Sequence, residues 1–173
     1  LFSAFECGYS SNALYEQIAI TYSKNDDYED LIFLLNQGLR FNPTNQNIIY
    51  HLGITYYKLG FYNESITLLN EYYLHNNLDF TAPYNIGMAY FRIQDYFNGL
   101  QYLNIANTND DYEILYYLGS CNYHLKNHKS AIPFFKKSLI INPNNSFAIY
   151  LLGQSYIALG DKKESKRQLK LLI

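Results

Sequence analysis

The chain has 173 residues, 49% of them apolar and 16% charged, with a net charge of -2. That composition is rich enough to bury a core, so it excludes a disordered tail, and the near-neutral balance gives no electrostatic footprint for nucleic acid. The charge is unevenly laid: residues 1–111 hold 4 basic and 12 acidic side chains, residues 112–173 hold 9 and 3. Such an asymmetry either orients a partner, favours head-to-tail contacts, or is drift on a solvated surface.

Two cysteines, Cys7 and Cys121, are too few for a disulfide framework and belong to no Cys/His cluster. No apolar run is long enough to cross a bilayer. The chain opens at Leu1 without a charged-then-apolar leader and reads as a piece of something longer. Compartment is left open, with the cytoplasm slightly favoured.

A repeat organises the elements. Leu52-Gly53 recurs as Ile86-Gly87, Leu118-Gly119 and Leu152-Gly153, at separations of 34, 32 and 34 residues, and Ile18-Ala19 stands 34 residues earlier. Three residues after the pair comes Tyr22, Tyr56, Tyr90 or Tyr156, with Asn122 in the remaining copy.

In chain order, residues 1–11 read as the tail of a preceding second helix. Repeat 12–45 follows. Its acidic Asp26–Asp30 cluster opens a second helix, where acid suits the helix dipole, and Asn42-Pro43 stops that helix. Repeat 46–79 turns between its helices at Gly60. Repeat 80–111 carries Pro83 in a first turn and is two residues short, so its second helix is expected to end near Ala106.

Repeat 112–145 is the clearest copy. Its helices are expected over about 113–125 and 129–141, joined by a turn at Lys126-Asn127-His128 and stopped by Asn142-Pro143, with Pro133 in the first turn of the second helix. The last, incomplete repeat, 146–173, turns at Gly160 and ends in a basic amphipathic helix from Asp161. That helix packs on its predecessor or a further repeat, or lies on an anionic membrane.

Leu-Gly, then an aromatic, then Ala131, Phe135 and Pro143, at this period, is similar to the tetratricopeptide repeat. The family's early Trp is replaced by Tyr15, Ile49, Pro83, Leu115 and Ile149. Small residues recur where that family packs helices closely: Gly53 with Ser65, Gly87 with Gly99 and Ala106, Gly119 with Ala131 and Ser138, Gly153 with Ser165. The resemblance implies an all-α, right-handed superhelical solenoid of antiparallel helix pairs. It also implies that the first helix of each pair lines a concave, partner-binding side.

On that resemblance, three rows of equivalent positions face the groove. Tyr50, Tyr84, Tyr116 and Tyr150 form one; Tyr57, Phe91 and Tyr123 a second; Lys24, Lys58, Arg92 and His124 a third. Tyrosine offers a large, stiff contact area with a polar tip. The alternatives are that the rings pack on neighbouring helices and that the cations answer helix dipoles. The clamp by which some family members grip chaperone tails is absent: its positions hold Glu16, Ile20, His51, Thr81 and Asn85, of which only His51 and Asn85 suit it. A continuous Asn ladder is absent too.

No phosphate loop and no nucleophile elbow occur. His124 and His128 lack a third metal ligand, and Cys121 reads as a small core residue. The expectation is therefore a non-catalytic scaffold that needs no cofactor. It binds a protein or peptide on Tyr50, Tyr57, Tyr84, Phe91, Arg92, Tyr116, Tyr123 and Tyr150. Self-association, or service as the targeting arm of a larger enzyme, is the alternative.

Overall fold

The structure, a computed structural model, describes residues 17–22 and 27–172. After a helical stretch at 17–22 come α1 (Tyr28–Phe41), α2 (Gln46–Leu59), α3 (Tyr62–His75) and α4 (Thr81–Arg92). Then follow α5 (Tyr96–Ala106), α6 (Tyr112–His124), α7 (His128–Ile141), α8 (Ser146–Ala158), α9 (Lys162–Leu169) and a 3₁₀ turn, Lys170–Leu172. The described residues contain no strand. They divide into two compact bodies, Leu1–Ala89 and Tyr90–Ile173, with the boundary inside α4. In the first, α1 packs on α2 and α2 on α3; in the second, each helix from α5 to α9 packs on the next.

Four first helices, α2, α4, α6 and α8, start on an acceptor side chain at an equivalent sequence position. Asn45, Asp111 and Asn145 accept backbone N–H groups of α2, α6 and α8 at 2.8–3.3 Å, and Asp79 accepts the Thr81 N–H at 2.8 Å. These four satisfy donors that a helix start leaves open.

The four described hairpins from α2 to α9 turn the same way. The residue after the first helix, or next but one, is left-handed: Gly60 at φ 84°, Gln94 at 65°, Lys126 at 63° and Gly160 at 80°. The N–H that follows then reaches back to the carbonyl of Tyr56, Tyr90, Asn122 or Tyr156 at 2.8–2.9 Å, closing the helix end as a Schellman turn does. Two of these four positions hold a residue with a Cβ that the conformation disfavours.

The pairs close on missing side chains. A Cβ at Gly53 would lie 2.8 Å from Leu69, one at Gly119 2.7 Å from the Phe135 ring, and one at Gly153 2.7 Å from Leu169. The expected small partners Ser65, Ala131 and Ser165 are indeed buried, but the atom filling each glycine's vacancy comes one turn later, from a large side chain. Around these contacts sit the cores: Ile18, Leu31, Leu35, Ile48 and Leu52 in the first body, and Ala131, Phe135, Ala148 and Leu152 in the second. Ile49, Pro83, Leu115 and Ile149, which stand where the family has Trp, are all buried.

Three expectations need correction. His128 is the first residue of α7, because Asn127 takes the capping place, so the turn ends one residue earlier than its polar run suggests. Pro133 is consequently the sixth residue of α7 and lies beyond its first turn; it removes the hydrogen bond that an N–H there would make to Lys129. α6 runs Tyr112–His124, one residue earlier at each end than expected. Tyr15, Glu16, Lys24 and the tail at residues 1–11 lie outside the described residues.

Two outcomes follow. Gly119→Ala destabilises by about 1–3 kcal/mol, because the fully buried Phe135 ring has nowhere to go, and Phe135→Leu in the same chain restores part of the loss; chemical denaturation of the two variants measures both. Gln94→Gly stabilises by about 0.5–1 kcal/mol, because it relieves a left-handed residue without removing a contact of the core; a fall in the denaturation midpoint would count against the turn geometry.

Candidate functional site

In the first body the predicted residue Tyr50, on α2, is half-buried and tied down. Its ring centroid lies 4.8 Å from that of Tyr72 on α3, and its hydroxyl is 3.2 Å from Thr81 Oγ1 at the start of α4. Asp79 gathers the rest: it accepts from the Tyr72 hydroxyl at 2.7 Å, and from Thr81 through the N–H at 2.8 Å and the hydroxyl at 2.6 Å. Four groups from three helices and a loop thus hold one another. Tyr57, also half-buried, packs edge-on against Tyr62 at 5.6 Å, across the Gly60 turn. Tyr84 is half-buried on α4.

The second body carries a continuous aromatic group. Phe91 at the end of α4 meets Tyr96 of α5 at 5.5 Å, and Tyr117 and His124 of α6 at 5.0 and 6.2 Å. His124 stacks flat on Tyr96, 4.4 Å away with 10° between planes. Tyr116 touches Tyr117 at 5.0 Å and the buried Phe135 at 6.3 Å, and Tyr123 touches His124 at 5.4 Å and His128 at 5.1 Å. Such pairs contribute about 0.5–1.5 kcal/mol each beyond their area. Arg92 is exposed beside this group in sequence, and Tyr150 on α8 is 49% exposed.

The predicted residues therefore fall into two kinds. Tyr57, Phe91 and Tyr123 each pack on the ring five residues later, Tyr62, Tyr96 or His128, which begins the second helix. That partner row was missed in the sequence although it repeats at the same 34- and 32-residue separations. The other row is graded: Tyr50 is hydrogen-bonded, Tyr116 leans on the core, and Tyr150 projects. Tyr72 and Thr81 carry no periodic signal, and the period marks Asp79 only as a helix-start acceptor; the three meet only through the fold.

Electrostatics follow the packing. Burial raises the Tyr50 phenol above its ordinary value, against the Thr81 contact, and burial with the Asp79 bond raises Tyr72 further. Burial works to raise the Asp79 carboxyl, but the bonds from Thr81 and Tyr72 outweigh it and hold the group below its ordinary value. Burial, and then Lys126, push the His124 imidazole below its ordinary value, which favours the neutral ring in its stack on Tyr96. Burial pushes the Cys121 thiol up to about 12, which makes it inert as a nucleophile. Among the described residues no three His, Cys, Asp or Glu side chains come together to hold a metal, and no helix is long and apolar enough to cross a membrane.

The depressed Asp79 carboxyl implies a stability term that is complete above the ordinary carboxylate value near 3.9 and is lost as pH falls through the lower folded value. Asp79→Asn is expected to cost about 1–2 kcal/mol at pH 7 and to flatten the decline in stability below about pH 4. Thermal melts from pH 3 to 7 measure both, and an unchanged acid slope would remove Asp79 from the network.

The family model described as anaphase-promoting complex, cyclosome, subunit 3 matches residues 104–170. No curated protein sequence matches the chain. Among solved structures, a crystal structure of MamA protein superposes with a TM-score of 0.83 at 24% identity, over 92% of this chain and 88% of that one. MamA 41-end from Desulfovibrio magneticus RS-1 gives 0.83 at 20% identity, over 92% and 91%. MamA MSR-1 gives 0.80 at 22%, over 92% of each chain. At these identities the likeness is one of fold.

Proposed function

The chain being a tetratricopeptide-like repeat protein, we propose that it is a non-catalytic interaction scaffold that takes a peptide or protein segment along the tyrosine-bearing faces of its first helices. The five repeats drawn at 12–45, 46–79, 80–111, 112–145 and 146–173 belong to the same reading. The observation that carries it is the state of the rings. Tyr57, Tyr84, Phe91, Tyr116 and Tyr123 are each half-buried, and Tyr150 is half-exposed. Several are fixed by the neighbours described above, so a partner meets preset contact area and loses little side-chain entropy. Tyr50 then acts mainly as a fixed wall, and Arg92 offers a cation to an acidic segment.

Tyr84→Ala/Tyr150→Ala tests this beside Phe97→Ala, which truncates an exposed ring on the second helix α5. Affinity capture from the source lysate, read by mass spectrometry, is expected to lose its partner with the tyrosine pair and keep it with Phe97→Ala. Matched melting curves and concentration-independent size exclude misfolding and self-association. Retention by the tyrosine pair moves the site off these faces.

A further inference from the structure

The turn between α3 and α4 departs from its counterparts. Three turns between repeats carry a polar residue just before the helix-start acceptor: Thr44, Asp110 and Asn144. The fourth carries Leu78, which is 84% exposed. Leu74, four residues back on α3, is 80% exposed. Neither side chain is taken from water by the fold, so their apolar area remains available to a partner.

Beside Leu78 lies a groove of about 270 Å³ lined by Tyr72, His75, Asn76, Asn77, Leu78 and Asp79. It opens at the C-terminal end of α3, where the helix dipole favours a cation. Asp79 Oδ1 is taken up by Thr81, while Oδ2 accepts from the Tyr72 hydroxyl at 2.7 Å. A carboxylate oxygen has two lone pairs, so Oδ2 keeps one for a further donor. The bonds from Thr81 and Tyr72 also hold this carboxyl ionised. No Lys or Arg lines the groove, and residues 27–89 hold 6 Asp and Glu against 2 Lys and Arg.

We propose that this groove takes one basic side chain of a partner protein, an Arg or Lys flanked by apolar residues that cover Leu74 and Leu78. The groove has room for a single long side chain and not for a helix. Its charge selects a cation: an ionised Asp79, the negative end of α3 and acidic surroundings all act in one direction. Its apolar edge suits the same occupant, because the aliphatic stem of Arg or Lys packs on Leu78 while the head reaches the carboxylate. An anionic membrane is disfavoured, because it is repelled by that charge. The site lies in a turn inside the array and is independent of binding on the tyrosine faces.

The test titrates the folded chain with a Gly/Ser peptide carrying Leu-Arg-Leu and follows backbone and side-chain amide shifts by two-dimensional NMR. Shifts at Asn76, Asn77 and Leu78 are expected, with binding that weakens as salt rises. Citrulline in place of the peptide's Arg keeps the stem, removes the charge, and is expected to weaken binding by about tenfold. Asn77→Lys sets a cation at the rim and is expected to weaken it by about tenfold too. Leu78→Thr, which copies Thr44, is expected to weaken it without changing the salt slope. Asn77 and Leu78 are exposed, so folding is retained and circular dichroism checks it. Equal binding of the citrulline peptide overturns the proposal. So does the absence of shifts in this turn at millimolar peptide. Shifts in the turn that appear on raising the protein concentration alone, with none from the peptide, give the groove to a second copy and overturn it as well.

Discussion

The fold depends on a vacancy. Three first helices carry a glycine whose missing Cβ is filled by a Leu or Phe from the second helix of the pair, at separations no real Cβ tolerates. The flanking Leu52, Leu118 and Leu152 are buried beside this close approach. The approach also fixes how far apart the two helices of a pair sit. A single methyl group in the wrong place therefore acts on the whole pair and not on one contact.

The turns carry the second constraint. A left-handed residue followed by a back-reaching N–H closes each described hairpin from α2 to α9 in one way, whether the residue is Gly, Gln or Lys. In three of the four described hairpins the ring before the turn meets the ring after it. That geometry is why Tyr57, Phe91 and Tyr123 find rings five residues later; in the fourth hairpin Lys162 stands in the partner's place. In the proposed function, rings held by their neighbours meet a partner already arranged.

The repeat, the all-α class and the stop at Asn-Pro were legible in the sequence because each is written locally and then copied. The starts of the first helices were equally legible in principle: Asn45, Asp79, Asp111 and Asn145 recur with the period. His128 misled because a polar residue after Asn127 resembles turn, while the capping geometry makes it helix. The site divided along the same line. Periodic rows could be read, but whether a ring on such a row packs or projects is decided by contacts that the period does not reveal. Tyr50 is held through Asp79 and Thr81, which come together only when α2, α3 and α4 do. Tyr150, at the equivalent position, stands half-exposed.

The central claim is that the tyrosine-bearing faces of the first helices are where a protein is held, and site-specific photo-crosslinking tests it most directly. A photoreactive phenylalanine analogue placed at Tyr150 or Tyr84 is expected to join covalently to a single partner band, while the same group at Phe33 on α1 or Phe97 on α5 does not. Crosslinks from Phe33 and Phe97 with none from Tyr150 and Tyr84 would contradict the account and place binding on the second helices.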